Sequence, residues 1–321
     1  MSLKTQLNND RRTAIGNGKR FYEVEMFRSM LDYFNGRGCR VIELHQHNVR
    51  NQRTKQDCEI SDLLIVSYSH RHPCCIKVTF LQAKRATKGF GLTPNNTAFK
   101  FGIDTRQYTL LKDCPPINPL NTNLDPNILY DSCSPSITSY GVFYEQNHSL
   151  DFAYEVTQLL KLRYPVPATP RFRVCYFDSI SDTYGNVRWR HCLHCCGIHC
   201  PCRIGCCNHG YCTPDLLSTI DADCFEKALK EFQIGSPMCF EQHEPQIISI
   251  LEESKKGKNA QDILSDFEGF VLSNLGHYRP ANESRNNGRG DDERINHDDD
   301  IIRRLNPSHI MLVNVDEFNI D

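Results

Sequence analysis

Asp62, Gln82 and Lys84 are the residues of this chain whose types and spacing could do chemistry. They lie within Cys58–Ala86, CEISDLLIVSYSHRHPCCIKVTFLQAKRA, two apolar β-branched runs joined by a polar turn with a proline. That is the pattern of an antiparallel hairpin. Along the second run Ile76, Val78, Phe80, Gln82 and Lys84 share one face, because strand side chains alternate. A turn near His72 sets Asp62 opposite Gln82 with Lys84 on the diagonal. A carboxylate, a carbonyl oxygen and an ammonium then meet at one end of the hairpin. Such oxygens suit Mg²⁺, and an ammonium beside them can orient a water or steady charge developing on phosphorus. Metal-assisted phosphodiester hydrolysis is the chemistry this combination serves. An edge hairpin with a solvated Gln and Lys is the plainer alternative.

The elements around the hairpin must position these groups. Lys19–Asn35 reads as an amphipathic helix stopped by Gly36 and Gly38. Phe21, Val24, Phe27, Met30, Leu31 and Phe34 form its apolar stripe, and Glu23 lies at the stripe's margin while Glu25 faces water. Cys39–His45 is predicted as the first strand, and the loop through Gln56 is polar. Residues 88–101 form a Gly/Pro/Asn loop, and Asp104–Asp113 a helix stopped by Pro115-Pro116. A long loop, 115–136, precedes a strand at Ser139–Tyr144. Ser149 is expected to cap a helix through about Leu162, with a further strand at Arg171–Ile180.

Asp62 followed by Gln82-Ala83-Lys84 on adjacent strands resembles the PD-(D/E)XK nuclease superfamily, in the QxK form of Mrr-type restriction endonucleases. The resemblance spans roughly Gly18 to Glu145. It implies an α/β fold, the restriction endonuclease-like αβββαβ core of a central mixed sheet flanked by helices. It implies catalytic Mg²⁺ or Mn²⁺ held by Asp62, the amide oxygen of Gln82 and the backbone carbonyl of Ala83. Lys84 would orient the water, and Glu23 would be the additional acid from the first helix; a surface Glu reaching for solvent is the other reading of Glu23. Gln107 is a candidate to face the scissile phosphate, against a plain surface helix. The implied substrate is DNA, in prokaryotic restriction or anti-phage defence, with a second copy of the chain or an ATPase or helicase as partner. Gln is a poorer ligand than Glu, which leaves open a catalytically silent DNA-binding or assembly protein on the same core.

Charge is unevenly spread. From Glu244 onward 16 acidic residues face nine basic ones, a net of −7, against 28 basic and 23 acidic before it, a net of +5. A mildly basic body suits a polyanionic partner. No apolar run reaches the roughly 18 residues of a membrane span, and the polar amino terminus has no apolar signal core. A cytoplasmic protein with no membrane partner is the expectation. Eight of the 17 cysteines fall between Cys192 and Cys212, a clustering that points to metal rather than to disulfides. Cys192, Cys195, Cys200, Cys202, Cys206, Cys207, His209 and Cys212 are the candidate ligands, with Cys196, His191, His194 and His199 nearby. Structural Zn²⁺ held by a subset of them is the first reading, an iron–sulfur cluster the alternative, and packed thiols the third. A zinc-centred interaction protein is the corresponding alternative function.

Domain organisation follows. Residues 1–17 are expected to be flexible, 18–182 to be the nuclease-like core, and 183–214 a Cys/His-rich insertion. Residues 215–277 hold three helices, Asp221–Phe232, Glu244–Lys255 and Ala260–Leu275, read as a helical cap. Residues 278–303 are charged and nearly free of aliphatics, the composition of a flexible linker. Residues 304–321 contain an alternating strand, His309–Phe318, placed to rejoin the sheet.

Overall fold

The computed structural model of the chain describes residues 1–44, 47–86, 100–132, 134–163, 172–176, 189–190, 215–216, 219–258, 260–276 and 308–319. Two helices come first, α1 (Leu3–Gly16) and α2 (Glu23–Phe34), then strands β1 (Cys39–Leu44), β2 (Asn48–Asn51) and β3 (Asp57–Glu59). The central hairpin is β4 (Leu63–Tyr68) and β5 (Cys75–Arg85), followed by β6 (Lys100–Asp104), α3 (Thr105–Asp113) and β7 (Ile117–Pro119). A second hairpin, β8 (Thr138–Gln146) and β9 (Ser149–Val156), precedes β10 (Lys161–Arg163), β11 (Phe172–Tyr176), β12 (Trp189–Arg190) and β13 (Asp215–Leu216). The chain continues through β14 (Ile220–Asp221), α4 (Ala222–Lys230), β15 (Ser236–Cys239), α5 (Glu244–Ser254), α6 (Ala260–Gly276) and β16 (Ser308–Asn314).

The architecture is α/β. A mixed sheet runs in the order β1-β16-β4-β5-β8-β9-β14, with β15 also pairing with β5. β16 is parallel to β4 and β5 is parallel to β8. Both faces of the sheet are covered, which is why β4 and β5 read as continuous apolar runs instead of alternating ones. On one face Phe27, Met30, Leu31 and Phe34 of α2, Leu3 and Leu7 of α1, and Phe225 and Leu229 of α4 pack on Leu63, Ile65, Leu81 and Met311. On the other, Leu110 and Leu111 of α3, Ile247 and Ile250 of α5, and Phe267 and Phe270 of α6 pack on Leu64, Val66, Val78 and Phe80. The three C-terminal helices are therefore the flanking layers of the sheet and not a cap. Among the described residues no helix is long and apolar enough to cross a membrane.

Three expectations are corrected. Ser149 begins a strand, not a helix: Leu150, Phe152, Tyr154 and Val156 alternate into one core face, and β9 pairs with β8 from Gln146↔Ser149 to Ser139↔Val156. The two residues between them, Asn147 and His148, both have positive φ, 50° and 62°, the signature of a tight type I′ hairpin turn. Residues 1–17 are not a frayed tail, because α1 is tied down at both core residues and polar ones. Leu3 N–H donates to Glu226 at 2.7 Å, and Asn8 exchanges two hydrogen bonds with the backbone of Leu150. The polar stretch before Gln56 contains β2, and β2, β3 and β7 make a small separate sheet. β11 pairs with β10 and β6 outside the main sheet.

The C-terminal strand does rejoin the sheet, and it does so between β1 and β4. The segment after it packs back on the α2–β1 turn, where Gly38 has φ +79° and a Cβ would lie 2.6 Å from the backbone of Phe318. Only glycine fits there. The Cys-rich stretch Cys192–Cys212 and the charged stretch 278–303 lie outside the described residues.

Candidate active site

β5 outruns its partner. The last pair of the β4–β5 ladder is Leu63↔Leu81, yet β5 continues to Arg85. Between Leu81 and Arg85 no described strand pairs with the edge of β5 that faces β4, the next contact there being the Ala86↔Phe101 bridge, and the amides in between need other acceptors. Two carboxylates supply them. Asp62, the residue before β4, accepts from Ala83 N–H at 2.8 Å. Glu23, the first residue of α2, accepts from Arg85 N–H at 2.8 Å. Because a strand residue's N–H and C=O leave on the same side, the carbonyl of Ala83 is directed to this same edge. Glu25 does something else: its carboxylate accepts the N–H of Tyr22 at 2.9 Å and closes the start of α2.

Glu23, Asp62 and Ala83 line a cavity of about 30 Å³ together with Val24, Phe27, the exposed Arg28 and His309. That is room for about two waters, or for a cation and a water. His309 of β16 is fixed by its backbone N–H, which donates to the carbonyl of Asp62 at 3.0 Å, and by an edge-on contact of its ring with Phe27. The C-terminal strand thus forms a wall of the site.

The carboxyls here are not in their ordinary state. Burial pushes the pKa of Glu23 up and the charge of Asp62 adds to it, against the pull of Lys84 and of the Arg85 amide. Burial likewise raises Asp62, against Lys84, the Ala83 amide and Gln82. Glu59, at the end of β3, is a third member. Burial and the nearby charge of Asp62 push it up to about 8, while Ser308 Oγ donates to it at 3.0 Å. Lys84 is the cation that acts on all three.

Gln82 faces differently from the expectation. Its Nε2 donates to Asp62, and its amide oxygen accepts from Gln107 Nε2. Gln107 Nε2 also donates to the carbonyl of Glu59 at 3.0 Å. A carbonyl can only accept, so the orientation of Gln107 is set, and through it that of Gln82. The amide oxygen expected to face a cation is given to Gln107 instead. Gln107 is buried in the apolar side of α3, not on a surface helix.

The structure therefore brings Glu23, Asp62, Gln82, Ala83 and Lys84 to one end of the β4–β5 hairpin, and adds Gln107 from behind. Sequence reasoning missed Glu59; its signal was an acid three residues before Asp62 inside the same apolar stretch. The signal for burying Gln107 was its spacing to Leu110 and Leu111, three and four residues on, which puts it on the apolar stripe of α3. The zinc candidates Cys192, Cys195, Cys200, Cys202, Cys206, Cys207, His209 and Cys212 lie outside the described residues.

A hard divalent cation fits what is present. Two carboxylates and a backbone carbonyl would offer it an all-oxygen set, and among the described residues Lys84 is the cation that acts on all three desolvated carboxyls. Among the described residues no three His, Cys, Asp or Glu side chains converge as a ready metal cage. Mg²⁺ does not demand one, since it commonly keeps several waters and one or two carboxylates. No protein-family model matches the chain, and no curated protein or solved structure is significantly similar to it.

Proposed function

We propose that this chain is a divalent-metal-dependent nuclease that hydrolyses phosphodiester bonds of DNA on a restriction endonuclease-like core. The observation that carries the reading is the pair of carboxylates, Asp62 and Glu23, bonded to successive outward amides of β5 with Lys84 on the strand between those amides. Apart from β2, β3, β6 and β7, which pair outside the main sheet, the chain order is α2-β1-β4-β5-α3-β8 with β8 parallel to β5, and this supports it.

Asp62, Glu23 and the Ala83 carbonyl would hold the cation, and Mg²⁺ or Mn²⁺ bound there supplies positive charge for a phosphoryl oxygen. The chain's own groups do the rest. Lys84 directs its ammonium at the attacking water or at the charge that grows on the phosphorane oxygens. Arg28, exposed on the cavity's rim, meets a neighbouring phosphate. Gln82 holds Asp62 in place. Water adds to phosphorus, the P–O bond to the leaving sugar oxygen breaks, and the water's proton balances the one that the leaving oxygen takes up.

Purified protein incubated with duplex DNA and Mg²⁺ or Mn²⁺ tests this. Asp62→Ala and Lys84→Ala are each expected to lower cleavage by about 10²–10³-fold, the usual cost of a group that stabilises transition-state charge. Cleavage that survives both substitutions sinks the assignment.

One observation favours a second reading. With the Gln82 oxygen given to Gln107, the site has one acid fewer than a Glu would supply, which suits a silent core that binds DNA without cutting it. Salt-dependent DNA binding that is unchanged in Asp62→Ala, with no divalent-dependent cutting, would select it. For the Cys-rich stretch we propose about one or two structural Zn²⁺ held by a subset of its thiols and His209. Eight thiolates within so short a span supply both ligands and folding energy. Elemental analysis of untagged protein decides it; absence of zinc and iron with all thiols titrating in the native protein refutes it.

A further inference from the structure

Pro237 sits within β15 and has no N–H to give a neighbouring strand. Its partner across the ladder is Lys77, so that pair belongs to the class without inter-strand hydrogen bonds. Antiparallel pairs alternate between bonded and unbonded. Two residues on, Cys239 faces Cys75 in the same unbonded class. The hydrogen bonds agree. Phe240 N–H donates to the Cys74 carbonyl at 3.3 Å, the bonded position that must follow. Cys239 turns its backbone away from β5: its N–H donates to His243 Nδ1 at 3.2 Å, and its carbonyl accepts from His243 N–H at 2.9 Å.

An unbonded antiparallel pair places its Cα atoms about 4.5 Å apart with both Cβ atoms on one face. Disulfides span Cα separations of about 4.4–6.8 Å. Both residues are thiols here, 7% and 5% exposed, and they pack on Phe232 with the half-buried Cys74 and Val315 beside them. The register that Pro237 imposes is thus also the register a cross-strand disulfide requires.

We propose that Cys75 and Cys239 are a modification site that closes to a reversible disulfide with hydrogen peroxide as the oxidant. Peroxide is little larger than water, which suits sulfurs with only a few per cent of exposure. The thiolate of Cys75, the more exposed of the two, attacks one peroxide oxygen; the S–O bond forms, the O–O bond breaks, and hydroxide leaves with the proton the thiol has lost as water. The sulfur of Cys239 then attacks the Cys75 sulfenic acid. The S–S bond forms, the S–O bond breaks, and a second water leaves. Two thiols have lost two electrons and two protons, and one peroxide has become two waters. The bond ties β15, and with it the passage from α4 to α5, to the half of β5 remote from Lys84.

Full-length protein treated with peroxide, alkylated in denaturant and digested with trypsin without reductant tests the site. The expected product links the peptide His72–Lys77 to Glu231–Lys255, in which Cys239 is the sole cysteine. Cys74→Ser is expected to keep the link, which assigns it to Cys75. Oxidation is also expected to raise the thermal midpoint, reversibly with dithiothreitol, and to leave it unmoved in Cys239→Ser. The site is overturned if Cys239 stays fully alkylated after oxidation, if the link disappears in Cys74→Ser, or if Cys239 is found bonded to a cysteine of 192–212.

Discussion

The side-chain amide of Gln107 donates to the amide oxygen of Gln82, and this contact decides what Gln82 offers to Asp62. The Glu59 carbonyl holds Gln107 from behind, so a backbone group of β3 orients a side chain of β5 through one of α3. Gln107→Leu removes the donor shared by two buried acceptors. It is expected to cost about 1–3 kcal/mol of stability, the penalty for leaving such groups unsatisfied, as read from urea titrations. Gln82→Glu is the complementary change, since it sets a fourth carboxyl beside Asp62. The variant is expected to need about 10-fold less Mg²⁺ for half-maximal thermal stabilisation. Unchanged Mg²⁺ dependence would show that residue 82 does not border the cation position.

The turn at Asn147-His148 offers a test on the fold. His148 holds φ 62°, a left-handed conformation that costs a residue with a Cβ about 1–2 kcal/mol. His148→Gly is expected to stabilise the protein by about 1 kcal/mol, and His148→Val to destabilise it by at least as much, measured by urea denaturation. If His148→Gly gave no gain, a relaxed turn would be indicated and the tight β8–β9 hairpin questioned.

That turn also marks where the sequence was hard to read. The β4–β5 hairpin was legible because two β-branched runs flank a single polar break, and their lengths leave one register, Leu63↔Leu81. Glu23 was legible as a margin residue because the stripe of α2 is strong. At Ser149, a residue type that caps helices outweighed the alternation of Leu150, Phe152, Tyr154 and Val156, and Asn-His is a weaker hairpin mark than Asn-Gly. The docking of α1 depends on Glu226 and Leu150, far along the chain. The strand β16 was legible from its alternation, but its insertion between β1 and β4 is a pairing between distant segments, which no local pattern encodes.

Glu253 of α5 should govern the acid limb of stability. Burial by itself would raise its pKa, but the close approach of the His47 ring, the hydrogen bond from the Asn123 amide and the Lys256 ammonium outweigh that and hold it at about 2. Its carboxylate is 3.2 Å from His47 Nε2, with both side chains almost fully buried. A folded pKa below the ordinary 4.5 means that the unfolded chain binds the proton first. The stabilisation is complete above about pH 4.5 and is lost as pH falls towards 2. Glu253→Ala is expected to cost about 3 kcal/mol near pH 6, because it strands a buried partner, and much less at pH 2–3. An equal cost at both pH values, in urea titrations, would show that the pair contributes packing and no charge.

The three carboxyls of the candidate site carry the opposite sign. Glu23, Asp62 and Glu59 all have raised folded pKa values, with Glu59 lifted from 4.5 to about 8. The folded state therefore holds its protons more tightly than the unfolded one, and stability that is complete below about pH 4.5 drains away as pH rises through 8. On the proposed function, a divalent cation held by Asp62 and Glu23 would take the place of the protons. Without one, the thermal midpoint is expected to fall between pH 5 and pH 8. Millimolar Mg²⁺ should leave the midpoint at pH 5 nearly unchanged and raise it at pH 8 by about 5 °C, the shift that a cation at a hundred times its dissociation constant gives a chain of this size. Asp62→Asn relieves the repulsion on Glu59 and removes a ligand in one step, so it should flatten the pH dependence and abolish the Mg²⁺ shift together. A shift of equal size at both pH values, or one that persists in Asp62→Asn, would place the cation elsewhere.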